Sequence, residues 1–320
     1  MRISMNWLVC LLMLTACART PAAPAAHLSL RYVNFKVYDP VYVALDQGFF
    51  ARRGLEVTII GDTLGGPTAI QAVASGSAEA GLASLPALIN ANASDLPVVG
   101  VSDIQSAIDD QPLEEFFVRT DSAIHSLADL RGKTVAVNLW YSSFHYTILM
   151  ALEQAGIAEE EVTFVLLPFE HQALALERGQ VDMIGLMQPY TAYVRQTYAD
   201  EVRLLFTAFD VFGEKQFTTH FLHRDWAADN PAAARAFVAG IVDAIDWIAA
   251  NPEAARTIIA RYTGIEARYI PDYRFQPDGQ VVLDDVRFWL EYMQQRGDIA
   301  PGQLTPEDVA TNAFNSRLSE

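Results

Sequence analysis

One strand–loop–helix unit, residues 130–156, constrains the fold of this chain more than any other stretch. Residues 134–137 (TVAV) predict a buried strand, and the apolar spacing near the end of the unit predicts an amphipathic helix. The loop between them, residues 138–143 (NLWYSS), carries an amide, two hydroxyls and two large rings. In open α/β sheets, ligands bind where strands end and helices begin. This loop is therefore a candidate binding loop, the alternative being that Trp140 and Tyr141 only cover a core.

Strands and helices alternate on both sides of this unit. Short apolar runs predict further strands at residues 28–33, 55–60, 80–83, 98–101, 116–120, 163–167, 182–186, 202–206 and 217–223. Prolines open several of the helices between them, at Pro40, Pro67 and Pro86. Everything after residue 231 reads as helical. A β-α-β-α order of this kind is typical of mainly parallel sheets with helices on both faces.

The chain is long enough for two lobes with separate cores. We expect two α/β lobes, each a mainly parallel sheet flanked by helices, joined by two crossings. The predicted bounds are 28–117 with 217–320 for lobe 1 and 118–216 for lobe 2, with crossings near 117–122 and 210–217. Two lobes on a double hinge are suited to closing around a small ligand.

The first 17 residues predict an export signal. An early Arg2 precedes an apolar run that is too short to span a membrane. Residues 14–17 (LTAC) resemble the lipobox of a bacterial lipoprotein, which predicts a signal peptide over 1–16, lipidation of Cys17 and a flexible tether over 17–27. We expect the lipid to hold the mature protein at the outer face of the cell membrane. An ordinary secretory signal with an incidental cysteine is the alternative.

Charge and cysteine content exclude several functions. The formal net charge is −17 and the acidic residues are dispersed, which argues against nucleic acid as a partner. The only other cysteine, Cys10, lies within the predicted signal, so the mature chain is expected to hold no disulfide. A thiol nucleophile and a cysteine-bound metal are also excluded, since the one remaining thiol, that of Cys17, would carry the lipid.

Several motifs resemble those of a known family. They are PVYVALDQGFF at residues 40–50, GLEV at 54–57, AVASG at 72–76 and LADLRGKTV at 127–135. Together they resemble the NMT1/THI5-like solute-binding proteins. The resemblance implies a type II periplasmic-binding-protein fold that delivers a small molecule to the permease and ATPase of an ABC importer.

The resemblance also implies which loops bind ligand and what the ligand is. Family contacts come from the loop after the first strand, from the third-strand end, from the loop at 138–143 and from the strand end at 188–190. Members bind aminopyrimidine precursors of thiamine, riboflavin, aliphatic sulfonates, taurine or nitrate. The family further includes a pyrimidine synthase that uses iron and a cysteine-rich motif, which this chain lacks. No catalysis and no cofactor are expected.

The candidate ligand-binding residues are neutral amides and hydroxyls together with rings, a set suited to a flat neutral heterocycle. A sulfonate or nitrate site would favour arginine or lysine, and Lys36 is the single basic candidate. Riboflavin is the favoured ligand, with an aminopyrimidine thiamine precursor as the alternative and a sulfonate third. The candidates are Asn34, Phe35, Tyr38, Ser84, Asn138, Trp140, Tyr141, Ser142, Ser143, Gln188 and Tyr190.

Metal and phosphate sites are not expected. Of the histidines, His220 and His223 lie three apart in a predicted strand, where side chains point to opposite faces. Residues 61–66 (GDTLGG) lack the lysine and the spacing of a phosphate-binding loop and predict a plain turn.

Overall fold

A computed structural model describes residues 28–107, 111 and 113–318. The predicted signal peptide, Cys17 and the tether lie outside these residues. The strands are β1 Leu28–Asn34, β2 Leu55–Asp62, β3 Ala80–Ser84, β4 Val98–Ala107, β5 Glu114–Arg119, β6 Thr134–Val137, β7 Thr163–Leu166, β8 Met183–Met187, β9 Val202–Thr207 and β10 Lys215–His223. The helices are α1 Pro40–Asp46, α2 Gly66–Ala74, α3 Leu85–Ala93, α4 Ser143–Gln154, α5 Phe169–Glu177, α6 Tyr190–Thr197, α7 Ala208–Phe212, α8 Arg224–Asp229, α9 Pro231–Ala250, α10 Pro252–Thr263, α11 Leu283–Arg296 and α12 Pro306–Val309.

The strands form two five-stranded sheets with equivalent strand orders. The first is β2-β1-β3-β10-β4 and the second is β7-β6-β8-β5-β9. In the first sheet β1 pairs parallel with β2 and β3, and β10 runs antiparallel to β3 and β4. In the second sheet β6 pairs parallel with β7 and β8, and β5 runs antiparallel to β8 and β9. The prediction of two mainly parallel α/β lobes is confirmed.

The antiparallel strand of each sheet follows a passage of the chain from the other lobe. β5 comes after β4 of the first sheet, and β10 comes after β9 and α7 of the second. Because β5 starts at Glu114 and pairs within the second sheet, residues 114–117 belong to the second lobe. The first passage therefore precedes Glu114, upstream of the predicted 117–122. The apolar run predicted a strand there, but it held no information about which sheet that strand would join.

β4 extends six residues beyond its predicted four-residue span. The prediction ended too early because the second half of this strand contains polar residues, which are buried. Asp103 in this part accepts hydrogen bonds from Gln216 Nε2 (2.7 Å) and from the backbone N–H of Gln276 (2.9 Å). Polar residues in a row read as a loop, and only distant parts of the chain supply their partners. Burial raises the pKa of Asp103 to about 7.

Helices cover the sheets and position the ends of the strands. The apolar side of α9 is buried and packs against α1. The short helices α6, α7 and α8 were not predicted, since each has at most eight residues and too few turns to show a helical period. Within the described ranges, no helix has the length and apolarity needed to cross a membrane.

Candidate functional site

A cavity between the two lobes brings together the ends of strands from both sheets. Its volume is about 30 Å³. We call it the interlobe cavity. Its lining combines rings, hydroxyls, one amide and one carboxyl group: Phe35, Gly66, Pro67, Leu82, Ala83, Ser84, Leu113, Glu114, Asn138, Ser142, Ser143, Phe144, Phe169, Met187, Phe217 and Thr218. Five of the eleven predicted ligand residues are in this set: Phe35, Ser84, Asn138, Ser142 and Ser143.

The loop after β1 contributes Phe35 to the cavity, and internal hydrogen bonds hold Asn34. Asn34 donates to Asp62 Oδ1 (2.6 Å) and accepts from the hydroxyl of Tyr42. Lys36 forms an ion pair with Asp62 at 2.7 Å on the surface, which lowers the pKa of that carboxyl. Asn34 and Lys36 therefore fix the loop within the first lobe, and neither lines the interlobe cavity.

A fully buried carboxylate anchors the end of this loop. Asp39 caps α1 by accepting from the backbone N–H of Val41 at 2.9 Å, and the same oxygen lies 2.9 Å from Nε2 of His220. Its second oxygen accepts from the hydroxyl of Tyr32. All three side chains are buried. Asp39 thus ties β1, α1 and β10 together behind the cavity.

Tyr38 lies in the core of the first lobe. Its ring stacks on Tyr273 with centroids 4.9 Å apart and also contacts Phe275. The sequence placed Tyr38 at the mouth of a strand, but the segment around Tyr273 covers it there. It does not line the interlobe cavity.

The N-termini of α2 and α3 form one wall of the cavity. Ser84 ends β3 and caps α3 by accepting from the backbone N–H of Ala87. Gly66 begins α2, where an added Cβ would lie 2.9 Å from Cα and Cβ of Ala83. Only glycine allows α2 to approach β3 this closely.

The 138–143 loop divides between the cavity and the surface. Ser142 caps α4, and its hydroxyl donates within the loop to Asn138 Oδ1 (2.9 Å) or the carbonyl of Leu139 (2.8 Å). Trp140 is 40% exposed, and its ring makes T-shaped contacts with His145 and Phe164. Tyr141 is 57% exposed, with a φ of +61°. The polar residues of the loop face the cavity, whereas its two large rings lie outside it.

The strand end at 188–190 also lies beside the cavity rather than in its wall. Tyr190 packs against Phe169, with centroids 5.6 Å apart, and burial raises the pKa of its hydroxyl to about 12. The side-chain oxygen of Gln188 is buried and has no hydrogen-bond partner within the described part of the chain.

The sequence reasoning missed Glu114, the one charged side chain in the wall. It begins β5 directly after the passage between the lobes and is fully buried. Within residues 28–107, 111 and 113–318, no group donates a hydrogen bond of good geometry to either of its oxygens. Burial raises the pKa of Glu114 to about 8, and the hydroxyls of Ser143 and Thr147 offset only part of this effect. Strand alternation from Phe116 would have placed this residue on an inward face, but the predicted strand began two residues too late.

Three phenylalanines of the wall were also missed: Phe144, Phe169 and Phe217. The ring of Phe169 contacts Phe144 at 4.9 Å and Phe35 at 6.2 Å. No lysine or arginine is in the cavity lining given above. The arrangement can therefore stack on a flat molecule and accept hydrogen bonds from it, but it offers no side-chain cation to an anion.

Histidines do not form a metal site in the described residues, where no group of three or more His, Cys, Asp or Glu side chains could hold an ion. His145 is buried under Trp140, and burial lowers its pKa to about 4. His223 caps α8 by accepting from the backbone N–H of Trp226. Neither histidine is in the cavity lining.

One family model and several known proteins match this chain. The family model described as "NMT1/THI5 like" matches residues 36–255. Riboflavin-binding protein RibY of Chloroflexus aurantiacus is 29% identical over 224 residues, 63% of this chain and 61% of that protein. The formylaminopyrimidine-binding protein of Halalkalibacterium halodurans is 33% identical over 134 residues, 40% of this chain and 39% of that protein. This chain thus spans less than two thirds of either relative.

Solved structures share the fold. The periplasmic aliphatic sulphonate binding protein SsuA of Escherichia coli superimposes with a TM-score of 0.70 at 21% identity, over 88% of this chain and 91% of that one. The desulfurization enzyme DSZB superimposes with the same TM-score at 15% identity, over 91% and 99% of the two chains. At these identities the similarity shows the two-lobe fold alone.

Proposed function

The chain belongs to the NMT1/THI5-like family, and on that premise we propose that it is the solute-binding component of an ABC importer. It binds a flat, neutral heterocycle in the interlobe cavity and presents it to a membrane permease with its ATPase. Two lobes joined by two passages of the chain provide the opening and closing that such capture needs.

The unpartnered carboxyl group of Glu114 is the single observation that carries this proposal. A buried polar group without a hydrogen bond costs about 1–3 kcal/mol, and a ligand that donates to it removes that cost. The wall contains no basic side chain to balance a sulfonate or nitrate. A ligand with N–H groups along one edge therefore fits this wall better than an anion does.

Riboflavin is the ligand we favour. The imide N–H of its isoalloxazine ring can donate to Glu114, and its ribityl hydroxyls can bond to Ser84, Asn138 and Ser143. Rings of the wall can stack on it, each contributing about 0.5–1.5 kcal/mol beyond burial. The similarity to a riboflavin-binding protein supports the same choice.

A formylated aminopyrimidine is the second candidate. Its exocyclic amino group can donate to Glu114 in the same way, and it is smaller, which suits a cavity of about 30 Å³. Either ligand is larger than this space, so binding requires the lobes to separate or side chains to reorient. The similarity to a formylaminopyrimidine-binding protein supports this candidate over a shorter alignment.

Capture without chemical turnover is the activity we propose, although one solved relative is an enzyme. Acyl or phosphoryl transfer would need a nucleophile beside a general base. No histidine or cysteine is in the cavity lining given above, and Glu114, the neighbour of the Ser143 hydroxyl, has a pKa raised to about 8, so at neutral pH it holds a proton and cannot act as the base. We further propose that Cys17 carries the lipid that holds the mature protein at the outer face of the membrane, which mass spectrometry of the membrane-extracted protein would test.

A fluorescence titration tests the proposed ligand. The purified mature protein is titrated with riboflavin while flavin emission is followed, and strong quenching that saturates at equimolar protein is expected. Unquenched flavin combined with tight binding of the aminopyrimidine in calorimetry would move the assignment to the second candidate. Recovery of chemically altered ligand in excess of protein would overturn the binding function in favour of an enzyme.

A further inference from the structure

A second cavity lies on the other side of the Phe169 ring. Its volume is about 230 Å³. We call it the side pocket. Its wall is mostly apolar, with Phe169, Ala173, Leu186, Tyr190, Val194 and Ile265, and it also includes Tyr193 and the charged Glu170.

Phe169 is the partition between the two cavities, because it lines both of them. It is the first residue of α5 and is buried. Its ring lies among those of Phe35, Phe144 and Tyr190, at centroid distances of 4.9–6.2 Å. These contacts are between rings, so the side chain of Phe169 can change its rotamer without breaking a hydrogen bond.

The side pocket is also an interlobe feature. Ile265 follows α10 of the first lobe, whereas the rest of the named wall belongs to the second lobe. Close by, the rings of Tyr193 and Tyr269 meet edge to face at 5.3 Å, and Gln196 Nε2 donates to the carbonyl of Arg268 at 3.3 Å. A movement that separates the lobes at this point exposes the side pocket together with the interlobe cavity.

We propose that the two cavities are compartments of one ligand site, which takes an elongated heteroaromatic molecule. The N–H edge of this molecule lies at Glu114, and its apolar ring end passes Phe169 into the side pocket. This proposal rests on the proposed function and specifies the shape of the ligand. An apolar cavity of about 150 Å³ is large enough to bind benzene, and the side pocket is larger than that. The 30 Å³ of the interlobe cavity provides no comparable space for a second ring.

Filling the side pocket tests this assignment. Ala173→Leu adds a branched side chain to its wall, whereas Leu174→Ala changes the next residue of α5, which is exposed and does not line the pocket. For Ala173→Leu we expect riboflavin affinity to fall by at least about tenfold, since small changes in an apolar pocket have effects of that size. Affinity for the aminopyrimidine, which is confined to the first compartment, should stay the same. Leu174→Ala should leave both affinities unchanged.

A second variant and a second ligand guard against misfolding of Ala173→Leu. Ile265→Ala removes apolar contact from the opposite lobe, and we expect it to weaken riboflavin severalfold without weakening the aminopyrimidine. A flavin that lacks the two methyl groups of its benzene ring should bind wild-type protein more weakly than riboflavin and lose less affinity in both variants. Thermal unfolding of each variant confirms that it is folded.

The outcomes separate this inference from the proposed function. Tight riboflavin binding that neither Ala173→Leu nor Ile265→Ala weakens would overturn the two-compartment site and leave the solute-binding function standing. Binding of the aminopyrimidine alone would overturn the elongated ligand and again leave that function standing. Binding of neither compound would refute the proposed ligand class together with this inference.

Discussion

The two lobes each bury a carboxyl group near the ligand-facing edge of their sheet, and the two groups differ in their partners. Asp39 in the first lobe is surrounded by the N–H of Val41, the hydroxyl of Tyr32 and the ring of His220. Glu114 in the second lobe has no hydrogen bond of good geometry within the described residues. Both side chains have 0% exposure.

This difference separates a structural group from a recognition group. A buried carboxyl group costs folding free energy unless hydrogen bonds replace its water. The partners of Asp39 come from three elements of its own lobe, so its hydrogen bonds contribute to the fold. Glu114 stays without them at the wall of the interlobe cavity, and a ligand can provide the missing donors. We infer that stability and recognition are assigned to different carboxyl groups.

Removing Asp39 should have the largest effect on stability. Asp39→Ala leaves His220, Tyr32 and the N-terminus of α1 without their partner, and we expect the free energy of unfolding to fall by about 3–5 kcal/mol. Chemical denaturation followed by circular dichroism measures this loss. Asp284→Ala is the control, because its ion pair with Arg287 is exposed and should contribute less than about 1 kcal/mol. Equal losses in the two variants would contradict the structural role of Asp39.

Replacing Glu114 should affect binding rather than folding. Glu114→Gln keeps the shape but replaces one carboxyl oxygen by an amide nitrogen, which cannot accept a hydrogen bond, and we expect riboflavin affinity to fall by about 0.5–1.5 kcal/mol. Stability at neutral pH should stay nearly the same, since the protonated carboxyl group and the amide are both neutral and are buried in the same surroundings. The neighbouring Glu115 bonds to Arg195 and is the matched control. Glu115→Gln should lower stability and leave affinity unchanged; the reverse result would place the recognition group at Glu115.

The pH dependence of stability should distinguish wild type from Glu114→Gln. The pKa of Glu114 is raised from 4.5 to about 8 in the folded protein. Between these values the folded state holds a proton that the unfolded state has released, so wild-type stability falls as pH rises. Relative to the variant, wild type should lose up to about 1.4 kcal/mol per pH unit in that window.

Denaturation midpoints of both proteins across this range measure the difference. Asp103, whose pKa is also raised, is present in both and cancels. A difference that stays constant with pH would show that Glu114 is ionised in the folded protein.

The sequence predicted the strands and the loops at their ends well, because each is encoded locally. The apolar run 134–137 and the prolines that open α1 and α3 placed those elements correctly. Ser84 and Ser142 were predicted from their places between a strand and the helix that follows, and in the structure each caps that helix. Prediction failed where distant segments decide: Tyr273 covers Tyr38, and nothing near Glu114 shows that the second sheet will bury it.

The smallest effect is expected at Trp140, one of the two large rings of the predicted binding loop. Its ring packs against His145 and Phe164 outside the cavity, so Trp140→Ala should change riboflavin affinity by less than about 0.5 kcal/mol. Phe169→Ala removes a ring that lines both cavities and should cost about 1–3 kcal/mol of affinity. The pair tests whether ligand binding depends on the cavity wall around Glu114 or on the exposed residues 140–141 of the same lobe. A loss of affinity at Trp140 as large as at Phe169 would mean that the 138–143 loop folds over the bound ligand. The ligand site would then have to include the exposed residues 140–141.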